Sequence, residues 1–80
     1  MENYDILLRV VPDLARVVTR STWLAYLQLR REGVPPDEAA RRLGIPQRLV
    51  ARLESARKCI IKWNGDTDSV ARCIRGEIDP

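Results

Sequence analysis

An 80-residue chain with 45% hydrophobic and 31% charged residues is too apolar to be a disordered segment. It suits one small domain that buries about 60 to 65% of the surface its extended chain exposes. Its 14 Lys and Arg exceed its 11 Asp and Glu by only three, so any electrostatic reading depends on where the charges sit.

The charges are unevenly placed. Residues 16–62 hold eleven cations against four carboxylates, a net of +7, while residues 1–15 and residues 63–80 each sum to −2. A basic centre between acidic ends points to an anionic partner docking on the middle of the chain. No apolar run approaches the length of a membrane span, and the first residues, with Glu2 and Asp5, lack the basic start of a secretory signal, so a cytoplasmic chain is expected. Cys59 and Cys73 stand fourteen apart with no CxxC pattern, and the chain has no histidine. A zinc site and a Cys-His nucleophile therefore lack their parts, and no metal or cofactor is expected. Both cysteines read as buried or half-buried thiols, a disulfide being disfavoured in a reducing compartment.

In chain order, "MENYDILLRVV" suits a short strand or the first turns of a helix equally. Pro12-Asp13 opens a helix, with proline tolerated in the first turn and a carboxylate near the positive end of the dipole. Apolar positions from Leu14 to Leu29 continue at helical spacing to Glu32. "TRST" at 19–22 is the expected break, with Ser21 or Thr22 capping a helix that begins at Trp23. Gly33 ends that helix, and Pro35-Pro36-Asp37-Glu38 starts the next, which runs to Leu43 and closes at Gly44. Ile45-Pro46 opens a third helix through Ser55. Ala39, Ala40 and Leu43 form the inner face of one helix, and Val50 with Leu53 that of the next. "CIIKW" at 59–63 is β-leaning and ends at the turn signal Asn64-Gly65, with "YDILLRVV" as its only plausible strand partner. A last helix, capped by Asp66, Thr67 or Asp68, turns Val70, Cys73 and Ile74 inward. The expected fold is all-α, a helix-turn-helix domain of four to five helices, with a two-stranded ribbon as the alternative. Residues 1–80 form one domain with a 1–20 extension and a bihelical unit at 35–55.

Two helices joined by a tight turn, small residues inside the first and an amphipathic second, make a helix-turn-helix. The stretch "LRREGVPPDEAARRLGIPQRLVARLESARK", residues 29–58, resembles the phage-repressor and Cro family of helix-turn-helix domains, also called the Xre family. The resemblance rests on the helix end at Gly33, on Glu38-Ala39-Ala40, on Leu43-Gly44, and on Val50, Leu53 and Glu54. It implies a transcriptional repressor or other regulator that binds double-stranded DNA as a dimer, with the helix after the turn in the major groove. Carried onto this chain, it places Gln47 against base edges, where an amide suits adenine N6 and N7. Arg48 suits a guanine or a phosphate and Ala51 a thymine methyl. Arg52 goes to phosphate or to the groove wall, and Ser55, Arg57 and Lys58 to the DNA backbone just beyond. The chain departs from the family at Pro36, where a polar residue often holds a phosphate, and after residue 58, where no recognisable fourth and fifth helices follow.

Against these assignments stands an ordinary solvated helix face, on which exposed arginine needs no ligand. Arg41 and Arg42 are secondary phosphate candidates. Trp23, Tyr26 and Trp63 read as core or interface anchors, and Asp66 with Asp68 as caps. No paired acid and base, triad or metal cluster marks an enzyme. The rival reading is a protein-binding module, because the same bihelical unit resembles the cytoplasmic domain of the bacterial cell-shape protein RodZ. Arginine on the presented helix favours DNA.

Overall fold

A computed structural model describes residues 2–80, and the described residues form six α-helices and no strand. The helices are α1 (Asn3–Val10), α2 (Pro12–Val17), α3 (Arg20–Arg31), α4 (Pro36–Leu43), α5 (Val50–Lys62) and α6 (Thr67–Ile74), with a single 3-10 turn at Gln47–Leu49. They enclose one core in a body of 31 × 22 × 22 Å.

The ribbon alternative is corrected at both of its ends. Residues 4–10 are helical and Val11 closes the helix, because Tyr4, Leu7 and Val11, spaced by three and four, all turn to the core, a face that a strand's period of two cannot gather. Residues 59–62 extend α5, since Ala56, Cys59 and Ile60 continue the buried face begun by Val50 and Leu53. The β-leaning composition yields to packing, and the helix stops only near Asn64-Gly65. The added α1 and the division of residues 12–32 bring the count to six.

That division falls between α2 and α3. Thr19, not Ser21 or Thr22, is the cap: its Oγ1 accepts the Thr22 amide at 3.4 Å, so α3 starts at Arg20, three residues ahead of the expected Trp23. Tyr4 of α1 secures the end of α2, its buried hydroxyl lying 3.1 Å from the Ala15 carbonyl and 2.9 Å from that of Val18. Those carbonyls belong to the last turn of a helix and have no partner within it.

Ile6, Leu7, Leu14, Val18, Trp23, Tyr26, Leu53, Ile60 and Val70 are fully buried. The N-terminal segment thus contributes as much to the core as the bihelical unit does. Each such aliphatic side chain contributes about 1.5 to 3 kcal/mol by leaving water. Between α4 and the 3-10 turn, Gly44 takes φ +71°, a left-handed conformation costly for any side chain, while the Ile45 amide reaches back to the Ala40 carbonyl at 2.9 Å. This tight reversal aims α5 away from α4.

Both cysteines are buried, in keeping with their reading as buried or half-buried residues, but they are not the thiols that the sequence suggests. Cys59 of α5 and Cys73 of α6 are joined in a disulfide, with Cα atoms 5.7 Å apart. The Asn64-Gly65 turn folds α6 back on α5 and brings two core-facing positions within bonding reach. Of the three candidate caps Asp66, Thr67 and Asp68, it is Asp66 that caps α6, its carboxylate accepting the Ser69 amide at 3.2 Å. No helix among the described residues is long and apolar enough to cross a membrane.

Candidate nucleic-acid interface

The segment expected as one helix from Pro46 to Ser55 is built from two pieces. Pro46 fixes an extended entry, Gln47–Leu49 make the 3-10 turn, and α5 then runs seven residues past Ser55 to Lys62. Leu49, Val50, Leu53, Ala56, Cys59 and Ile60 face the core. Arg48, Ala51, Ser55, Lys58 and Lys62 recur at spacings of three and four and are all exposed, so they form one row along the opposite side.

The assigned residues do not all share that row. Arg48, Ala51, Ser55 and Lys58 do. Gln47 is exposed at the near end, where its Nε2 reaches the Asp37 carbonyl at the start of α4 over 3.5 Å, a contact too long to hold the amide firmly. Arg52 leans to one flank, with Nη2 2.8 Å from the Asp13 carboxylate of α2. Arg57 turns the other way and belongs to a half-buried network beneath the face.

The centre of that network is Glu54. It accepts Nε of Arg30 at 3.1 Å and Nη2 of Arg30 at 2.9 Å, Nε of Arg57 at 2.9 Å, and the hydroxyl of Tyr26. Arg30 also donates through Nη1 to the Val34 carbonyl at 2.9 Å in the loop before α4. Burial by itself raises the Glu54 pKa. The bonds from Arg57, Arg30 and Tyr26 outweigh it and hold the carboxyl at about 2. Burial first, and then the bond to Glu54, pushes the Tyr26 hydroxyl above its ordinary value. Helix α3, the loop to α4 and helix α5 are thereby tied at one carboxylate, which fixes how α5 is presented.

Ion pairing sorts the cations. Of the 14 Lys and Arg, eight form ion pairs among the described residues. Arg41 and Arg42, the secondary phosphate candidates, both bind Glu38 on their own helix, at 2.5 and 2.9 Å, and hold that carboxyl below its usual range. Arg9, Arg16, Arg31, Arg48, Lys58 and Lys62 have no carboxylate partner among the described residues. Three of these six lie in the α5 row, and Lys62 there also rests 5.8 Å over the Trp63 ring. Ala51 and Ser55 keep the middle of the row low, and beside them a groove of about 250 Å³ is lined by Val11, Ala51, Arg52, Ser55 and Ile74.

Sequence reasoning missed the roles of Glu54, Arg30 and Asp13. Glu54 carried a signal, since it is the only acid between Glu38 and Asp66, and a lone carboxylate amid arginines invites pairing. Asp13 carried none, being remote from Arg52 in the chain.

Comparison of the chain with protein-family models, with curated proteins and with solved structures finds no match.

Proposed function

We propose that this chain is a sequence-specific double-stranded DNA-binding protein, a regulator of transcription of the repressor type, that sets the 3-10 turn and α5 into the major groove. The observation that carries the reading is the exposed row Arg48, Ala51, Ser55, Lys58 and Lys62, in which three cations lack a carboxylate partner and two small side chains leave room for close approach. A convex helix with that row can meet phosphates on the groove walls while its centre nears the bases.

Gln47 and Arg48 sit at the leading end of the row, where an amide and a guanidinium can read adenine and guanine edges, and Ala51 follows at the height of a thymine methyl. Ser55, Lys58 and Lys62 continue toward the DNA backbone. The Arg30–Glu54–Arg57 network supports the reading by fixing α5 against α3. A single copy presents one short helix, and such readers act as dimers on half-sites about 34 Å apart. A body of 31 × 22 × 22 Å is small enough to repeat at that spacing, and exposed Leu8 and Val17 on the N-terminal helices are apolar groups available to a second copy.

The test is fluorescence anisotropy of a labelled duplex of random sequence, titrated at several salt concentrations. Three phosphate contacts predict a log-log slope of about −3, since each contact contributes about −0.9. No binding at low salt sinks the reading. One observation favours the rival protein-interaction module: Ile61, 56% exposed on α5, is an apolar group that a duplex has no use for. In that case duplex is ignored and a partner chain protects Ile61.

A further inference from the structure

Among the described residues, one ion pair joins the exposed face of α5 to a carboxylate from another helix. Asp13 Oδ2 of α2 lies 2.8 Å from Arg52 Nη2. The remaining pairs are of other kinds. Glu38 holds Arg41 and Arg42 on its own helix, Glu77 holds Arg72 and Arg75 locally, Arg20 meets Glu2 and Asp5 away from α5, and Glu54 works beneath the face.

Asp13 is placed there by the core. Its neighbours Val11 and Leu14 are buried, at 6% and 1% exposure, and Pro12 starts α2 with a fixed φ. Asp13 is thereby carried to the flank of α5 beside Arg52, and Val11, two residues before it, lines the groove with Ala51 and Ser55. Both partners remain open to water, their side chains 49% and 63% exposed, so the pair is weak enough for a competing ligand to open.

Resting on the DNA reading above, we propose that Asp13 is a specificity-determining residue: its carboxylate withholds Arg52 from phosphate and so suppresses binding to arbitrary duplex. A phosphate that approaches Arg52 meets the negative charge of Asp13 next to its target. Non-specific affinity is almost wholly phosphate contact and suffers the full repulsion. A guanine edge carries no net charge, and a guanidinium with five N–H donors engaged at Nη2 keeps others for such an edge. The carboxylate penalises the contact that every sequence offers and spares the contact that only some sequences offer.

The experiment is anisotropy across about 50 to 200 mM salt, the range in which phosphate contacts separate proteins, with wild type, Asp13→Asn, Arg52→Gln and the double variant. Random duplex and a duplex selected for wild-type binding are both titrated. Asp13→Asn is expected to bind random duplex about two- to fivefold more tightly, the scale of one exposed ion pair. Its log-log slope is expected to steepen by about 0.9, one added phosphate contact. On the selected duplex the gain is smaller, so discrimination falls, and in the Arg52→Gln background the effect vanishes. An equal gain on both duplexes, a gain that persists without Arg52, or no gain at all overturns the proposal while leaving the DNA reading intact. If no variant binds duplex, the DNA reading fails and the proposal with it. Melting curves check folding, and Asp13→Ser repeats the comparison should the asparagine variant not fold.

Discussion

Arg30 and Glu54 are 24 residues apart in the chain and 2.9 Å apart in the structure, and their pair joins the helix before the bihelical unit to the helix it presents. Their side chains are only 20% and 13% exposed, so water can replace a lost partner only in part. Removal of the carboxylate strands two guanidinium groups at once. Glu54→Gln is expected to cost about 2 to 3 kcal/mol, as for a charged partner lost from a half-buried network. Urea denaturation measures it, and a loss below 0.5 kcal/mol would make the network incidental.

The same carboxylate sets an acid limit. Its folded pKa of about 2 lies below the ordinary 4.5, so the folded state binds this proton less readily than the unfolded state. The stability it contributes is complete above pH 4.5 and is lost as pH falls toward 2. Wild type is expected to lose stability through that window, and Glu54→Gln to show a flatter profile there. Parallel profiles would refute the assignment.

The disulfide closes a loop across the α5–α6 turn with a sequence separation of 14. A loop of that size restricts the unfolded chain by about 3 kcal/mol in the chain-entropy view. Reduction is expected to lower unfolding free energy by about 2 to 3 kcal/mol while Cys59, at 1% exposure, and Cys73, at 5%, stay packed as thiols. Denaturation with and without a reductant reads this directly, and coincident curves would contradict it.

Lys58 and Arg57 are adjacent in sequence and opposite in role. Lys58 is exposed in the α5 row, whereas Arg57 is 19% exposed and bound to Glu54. Lys58→Ala should weaken binding to all duplexes alike and reduce the salt slope by about 0.9 without altering the melting temperature. Arg57→Ala should lower the melting temperature and leave the slope alone. Gln47→Ala should relax base preference with little effect on random duplex. Were the two cations to exchange these signatures, the presented face would be wrongly assigned.

Tyr4 offers a test of how α1 is held. Its hydroxyl meets carbonyls at the end of α2 that no backbone amide satisfies, so Tyr4→Phe leaves them buried and unpaired at a cost of about 1 kcal/mol. An unchanged stability would show that apolar contact alone seats α1.

Much of the bihelical unit was legible because its signals are local. Gly44 must take a left-handed φ wherever a helix ends so tightly, proline and acid mark the start of α4, and Asp66 caps α6 from within three residues of the amide that donates to it. Arg48, Ala51, Ser55 and Lys58, singled out by resemblance, share one exposed row, whereas Arg52 and Arg57 of the same set do not. The fate of 4–11 and 59–63 was not legible, because a short apolar run fits either period until its neighbours are known. The cysteine pair is not legible for a related reason: the sequence carries two cysteines fourteen apart, while bonding depends on the angle at which α6 returns.

By itself, then, the sequence determined where α4 starts and stops and that cations would stand on the helix after the turn, since proline, glycine conformation and periodicity act within a few residues. Only the tertiary structure decided which cations on that helix stay without a partner. Arg57 is claimed by Glu54 and Arg52 by Asp13, whereas Arg48, Lys58 and Lys62 are left open. Ion pairing depends on distances of a few ångströms between side chains, and those across α2 and α5 arise only when the core draws both helices against it.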